Sequence, residues 1–304
     1  MPYCRAGMRV LLLLLFAMLV LSTSAGGAFR GANGVIAFTR INQSGESIGI
    51  VRPDGTGIAT IVENGSSPAW SPDGTMLVFQ RSVGRDIDLF VMRADGTGLR
   101  RINHPGHNDF LSAWSPDGKR IVFTSDPGTE PITALSEIYI VNADGRNRRR
   151  LTRNRIVDHS PVWSPDGRRI AFVRGGSKPG IYSMAPSGKR LVRITRNRSD
   201  TAPAWSPDGR LIAFDRERSN SGPNIFVMNR NGSNAHAVVA SETNDFMPAW
   251  SPDGTQLVFS RTVDTEDTVI EDVYVMDQDG GNITPLVADG DETFGPDWQP
   301  LIAP

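Results

Sequence analysis

The pentapeptide Trp70-Ser71-Pro72-Asp73-Gly74 returns four more times, beginning at Trp114, Trp163, Trp205 and Trp250. A degenerate copy, Asp297-Trp298-Gln299-Pro300, stands near the C-terminal end. Successive tryptophans lie 44, 49, 42, 45 and 48 residues apart, and these six are all the tryptophans in the 304-residue chain. Self-similarity at a period of roughly 20 to 50 residues marks a repeat architecture, in which each unit buries its apolar face against its neighbours.

The flanking sequence says what the unit is. After each full copy comes a short alternating apolar run: Met76 to Phe79, Arg120 to Phe123, Arg169 to Phe172, Leu211 to Phe214 and Gln256 to Phe259. Period-two patterning of β-branched and aromatic residues argues strand. A second run ends in a turn dipeptide in most units, as in Leu89 to Met92 before Asp95-Gly96 and Ile225 to Met228 before Asn231-Gly232. Asp-Gly and Asn-Gly suit hairpin turns, whose central residues need positive φ. A third segment, such as Arg150 to Thr152, and the Trp strand itself bring the count to four strands per unit. Four strands in roughly 40 to 45 residues is the composition of a propeller blade.

Both chain ends carry part of a blade. Residues 34–63 supply strands of the second and third kind with no Trp strand before them, and 294–299 supply a Trp strand with nothing after it. Joined, they complete a sixth blade and leave no unpaired inner edge. The reading is an all-β, six-bladed β-propeller of four-stranded blades, occupying 29–304 as a single domain.

The runs Pro68 to Gly74, Pro203 to Gly209 and Pro248 to Gly254 resemble the WD40-like PD40 repeat of the TolB-family propeller. The resemblance spans about 34 to 299. TolB carries an α/β domain ahead of its propeller, and the segment before residue 34 is too short for one, so a stand-alone propeller is expected. The resemblance implies a binding role, with calcium and peptide segments held at one mouth of the channel.

Five identical Trp-Ser-Pro-Asp-Gly copies read as a structural staple rather than five catalytic aspartates, since a residue needed alike in every blade serves every blade. Trp70, Trp114, Trp163, Trp205, Trp250 and Trp298 pack blade on blade. A second acid recurs five residues before the Trp, at Asp109, Asp158, Asp200 and Asp245, with Asp291 and Glu292 nearby in the last unit. The loop ahead of the innermost strand opens at a channel mouth, so these acids form a partial ring there. Two readings stay open: a focused negative potential that holds Ca²⁺ or a basic partner, or side chains that cap their own turns. Expanded connections at 125–136 and 261–271, the latter carrying Asp264, Glu266, Asp267 and Glu271, favour the same face.

His107 and His159 precede consecutive Trp strands and are the two candidate ligands for a transition metal, the basis of an alternative reading as a polysaccharide-processing lyase or hydrolase. No Gly-x-Ser-x-Gly elbow or His-Glu-x-x-His pair is present. The basic run Arg146 to Arg155 falls on an outer strand, where charge protects an edge from mispairing. With Lys+Arg at 32 and Asp+Glu at 33, nothing suggests a nucleic-acid partner.

Arg5 and Arg9, the apolar run Val10 to Leu21 and the small residues up to Ala28 have the plan of a secretory signal peptide, 1–28, cleaved after Ala25 or Ala28. An uncleaved anchor is the less favoured alternative, the apolar run being short of the roughly 18 residues a span needs. Cleavage would remove Cys4, the only cysteine. The expected protein is a periplasmic or secreted monomer, a non-catalytic module for a protein or peptide partner. A non-catalytic scaffold for envelope glycan is the further alternative.

Overall fold

The computed structural model describes residues 28–102, 106–126, 136–218, 221–239, 241–264 and 269–302. The signal segment expected over 1–28 therefore lies outside them except for Ala28, as does most of the 125–136 connection. Twenty-four strands form six four-stranded antiparallel sheets, and among the described residues no helix occurs. The innermost strands are Ser66–Trp70, Asn108–Trp114, Asp158–Trp163, Asp200–Trp205, Asp245–Trp250 and Glu292–Leu301, each lying beside its counterparts in the adjacent blades. The last of them pairs with Ala32–Asn42, so one blade is built from both chain ends, as expected.

Each tryptophan lands on the blade before its own. Trp163 packs with Ala113, Val122, Ile138 and Ile140 of the second blade, and Trp250 with Ala204, Ala213 and Ile225 of the fourth. Across the closure, Trp70 packs with Ala37, Ile48 and Val62. None of the six is more than 4% exposed. The rest of the pentapeptide makes the turn. Ser71 Oγ donates to Asp73 Oδ1 at 2.6 Å and accepts from the Met76 amide at 2.9 Å, while Asp73 Oδ1 also accepts from the Thr75 amide. The same three bonds recur around Ser115, Ser164, Ser206 and Ser251. Burial raises the pKa of these five aspartates, but the hydrogen bonds outweigh it and hold the carboxyls below their ordinary range.

A second joint, invisible as a motif, links neighbouring blades. Every innermost strand carries a residue at positive φ: Ser67, Leu111, Ser160, Ala202, Met247 and Gly295. In five of six blades that residue's amide donates to a side chain of the preceding blade: Thr39, Gln80, Thr124, Asp215 and Ser260 in turn. The third blade has Val173 at the equivalent place and makes no such bond to Ala202. Replacing Thr124 by Val should leave the buried Ser160 amide without its acceptor and cost about 1–3 kcal/mol. Equilibrium urea unfolding measures this; a change within error would show that the joint carries no load.

The closing blade has its own latch. Asp297 Oδ2 accepts from the Trp70 amide at 2.7 Å, and burial pushes its carboxyl up to about 7, against the hydrogen bonds from Trp70 and Trp298. A folded pKa above the unfolded value means the native state keeps a proton that the unfolded chain gives up. The benefit is complete below about pH 4 and is lost as pH rises towards 7, at about 1.4 kcal/mol per pKa unit. Asp297→Asn keeps an acceptor for Trp70 and removes the titration. It should therefore melt higher than wild type at pH 8 and nearly level with it at pH 4, whereas a gap independent of pH would disprove the latch.

Candidate functional site

The innermost strands all start at one end of the ring, and there the recurring acids sit. Asp109, Asp158, Asp200 and Asp245 are fully buried. Each carboxylate is engaged by an arginine. Arg174 holds Asp158 through Nε at 2.6 Å and Nη2 at 2.7 Å; Arg216 holds Asp200 at 2.5 and 3.0 Å; Arg261 holds Asp245 at 2.6 and 3.0 Å. Paired N–H donors on both carboxylate oxygens make the strong, geometrically specific form of this contact. Asn154 adds a bond to Asp158 and Ser241 one to Asp245.

Each guanidinium also lies over two aromatic rings of its own blade. Arg174 is 5.3 and 5.2 Å from the Phe172 and Tyr182 ring centres, and Arg216 5.1 and 4.8 Å from Phe214 and Phe226. Arg261 stands likewise over Phe259 and Tyr274. The stack of carboxylate, guanidinium and aromatic pair joins the innermost strand to the next two strands. Cation–π attraction strengthens when the cation is desolvated, as these largely are.

The second blade reaches the same end by another route. Ser125 occupies the arginine position there, and Arg148 comes in from beside the outer strand to bond Asp109 at 3.0 Å and Ser125 Oγ at 2.7 Å, over Phe123 and Tyr139. The first blade keeps Arg81 over Phe79 and Phe90 but has Gly65 in place of the acid, so Arg81 donates to the Asn64 and Glu63 carbonyls. In the closing blade Arg40 pairs with Asp289 and, at 3.1 Å, with Asp291.

These pairs change the reading of the acids and of the basic run. Asp109, Asp158, Asp200 and Asp245 do not form a ring of uncompensated negative charge, because an arginine pairs with each one. Each carboxylate is already engaged by its arginine, and among the described residues no three His, Cys, Asp or Glu side chains come together as a metal-holding group. Arg148 and Arg150 do not guard an edge; they turn inward to Asp109 and to the buried Glu137.

The remaining expected residues are scattered. His107, half-buried, lines a cavity of about 440 Å³ with Ser125, Glu137, Tyr139, Arg150, Asn154 and Arg155. His159 is outside that lining; its Nδ1 lies 3.0 Å from Ser160 Oγ, and burial lowers its pKa to about 4, against the pull of Asp158. Glu292 is half-buried with its pKa raised by burial, and Glu271 is pushed up to about 8 by burial and then by Glu292. Of the acidic 261–271 connection, Glu266 and Asp267 lie outside the described residues. What is described is an extended hairpin, Gln256–Asp264 with Val269–Asp277.

The arginine partners were the missed residues, and their signal was present. Asp158, Asp200 and Asp245 each have an arginine 16 positions later, as does Gly65.

Comparison with known proteins agrees with this geometry. The model of the TolB beta propeller domain matches residues 35–133 and 195–301. Among solved structures, TolB from Acinetobacter baumannii superposes with a TM-score of 0.74 at 22% identity, over 94% of this chain and 70% of that one. A TolB-type protein from Agrobacterium tumefaciens gives 0.65 at 25% identity, over 86% and 91%. An oligogalacturonate lyase from Vibrio parahaemolyticus gives 0.57 at 13%, over 89% and 81%, a likeness of fold alone. No curated protein sequence matches the chain. A repeat matched over most of the described ring, on six blades closed by the chain's own ends, places this chain in the TolB beta propeller domain family.

Proposed function

We propose that the chain is an exported, non-catalytic binding module that takes a protein or peptide partner at the end of the ring where the innermost strands begin. The observation that carries this reading is the uneven relief of that end. The hairpins of the first, fourth and fifth blades have second strands of 8, 8 and 9 residues, Met76–Val83, Leu211–Arg218 and Gln256–Asp264. That of the third blade, Ile170–Arg174, has 5. The cavity lined by His107 and Tyr139 lies at this end, and Arg81, without a carboxylate partner among the described residues, stands ready for an acidic group. Apolar Val83 and Val269 are 39% and 59% exposed on the tall hairpins of the first and fifth blades at this end. Such a mix of aromatic, arginine and exposed apolar groups suits a protein interface.

A photo-crosslinking residue at His107, compared with one at Asp95 on the opposite end, tests this in envelope extracts. A discrete adduct from His107 alone is expected; equal labelling from both positions, or release of unsaturated sugars from polygalacturonate, would sink the reading.

Export rests on the sequence of 1–28, and the fold bears on the cleavage point. Ala28 is buried, its amide donating to the Trp205 carbonyl, and Phe29 is buried in the core cluster shared by the first and second blades. Cleavage after Ala25 keeps Ala28 in place; cleavage after Ala28 discards it. The mature protein should begin at Gly26, read by intact mass.

A further inference from the structure

At the opposite end of the ring, where the Trp-Ser-Pro-Asp-Gly turns lie, a cleft of about 450 Å³ separates the third and fourth blades. Arg168, Arg169, Arg190 and Arg230 all line it, together with Asp166 and Asp208. Four guanidiniums face two carboxylates there, in a protein whose formal net charge is only −1. Both carboxylates are already held by their own turns, Asp166 by Ser164 Oγ and the Arg168 amide, Asp208 by Ser206 Oγ and the Arg210 amide. Among the described residues, none of the four arginines makes an ion pair within 4.0 Å.

Two features mark this cleft. Arg120 of the second blade covers Trp163 at 4.9 Å; Arg169, at the same repeat position, turns instead to Ser183 and donates to its carbonyl and hydroxyl, leaving Trp205 in the cleft wall. The second feature is in the backbone. The turn after the third strand of every blade has a residue near φ +50° to +70°, and five blades fill it with Gly57, Gly98, Asn147, Asn234 or Asn282. Glycine and asparagine tolerate that conformation best. The third blade has Arg190 there, at φ 57°. A long side chain placed where the backbone disfavours it, at the lip of a cationic cleft, indicates a gain other than stability.

We propose that this cleft binds an oxyanion of the phosphate or sulfate type, held by Arg168, Arg190 and Arg230 with Arg169 fixed behind them. Guanidinium forks match the oxygens of tetrahedral oxyanions, and the exposed rims of Arg168, Arg190 and Arg230 leave entry open. The site is independent of the partner seat at the other end.

The repeat supplies a safe variant: Arg190→Asn installs the residue that three other blades use, so it should melt no lower than wild type. Isothermal titration of the whole protein with sodium phosphate and sodium sulfate, at ionic strength matched with chloride, should show saturable binding. In Arg190→Asn/Arg230→Gln the affinity should fall about tenfold or more, two charge-assisted contacts being lost. Vesicles identify the source: sedimentation with phosphatidylglycerol but not phosphatidylcholine vesicles, lost in the double variant, assigns a lipid headgroup. Titratable binding without sedimentation assigns a soluble phosphate or sulfate. Heats that fail to saturate, or an affinity unchanged in the double variant, would overturn the proposal.

Discussion

Trp163→Ala should destabilise the protein by about 3–5 kcal/mol, the range for truncating a large buried aromatic. Trp163 is wholly buried, wedged against four apolar side chains of the preceding blade and covered by Arg120. Its removal takes away the transfer free energy of the indole and leaves a void between two sheets that the ring does not let close. For a protein of this size the melting temperature should drop by roughly 10 °C. Calorimetric scans measure it directly. A loss below about 1 kcal/mol would mean the blades are held by their strand ends and not by the tryptophan wedges.

Asp200→Asn should cost about 3 kcal/mol, although it alters no volume and exposes no apolar surface. The substitution leaves Arg216, four-fifths buried and stacked on Phe214 and Phe226, with a neutral partner in place of an anion. Breaking a buried pair from one side strands the other charge. Arg216→Met, which removes the cation instead, should be equally harmful because Asp200 is completely buried. Replacing both together should cost less than the sum, and the double-mutant cycle read by urea unfolding gives the coupling. Additive costs would show that the two groups do not act as a pair.

The fold was legible because its signals are local and repeated. A Trp that must pack on a neighbour, a Ser-Pro-Asp-Gly turn and an alternating strand recur in register, and the unmatched ends of the chain announce the closure. The site was harder to read. The recurring Asp was visible, but its partner sits 16 residues away on the facing strand, and only strand register makes that separation a contact. An unpaired reading of Asp109, Asp158, Asp200 and Asp245 made them a field and a cation site; pairing makes them internal struts. Arg148 shows the limit of spacing rules most clearly. It serves the second blade from 39 residues away, where the 16-residue position holds Ser125. Joints such as Thr124 to Ser160 leave no sequence motif, since Thr, Gln, Asp and Ser all fill the acceptor position.

The claim on which the rest depends is that the buried acids at the partner end are structural and already satisfied by arginine. Thermal melts of wild type and Asp158→Asn/Asp200→Asn, each after chelation and again with excess Ca²⁺, examine it most directly. The double variant should melt well below wild type, and Ca²⁺ should move neither curve. A rise with Ca²⁺ in wild type that disappears in a variant of otherwise normal stability would show instead that these carboxylates are a cation site.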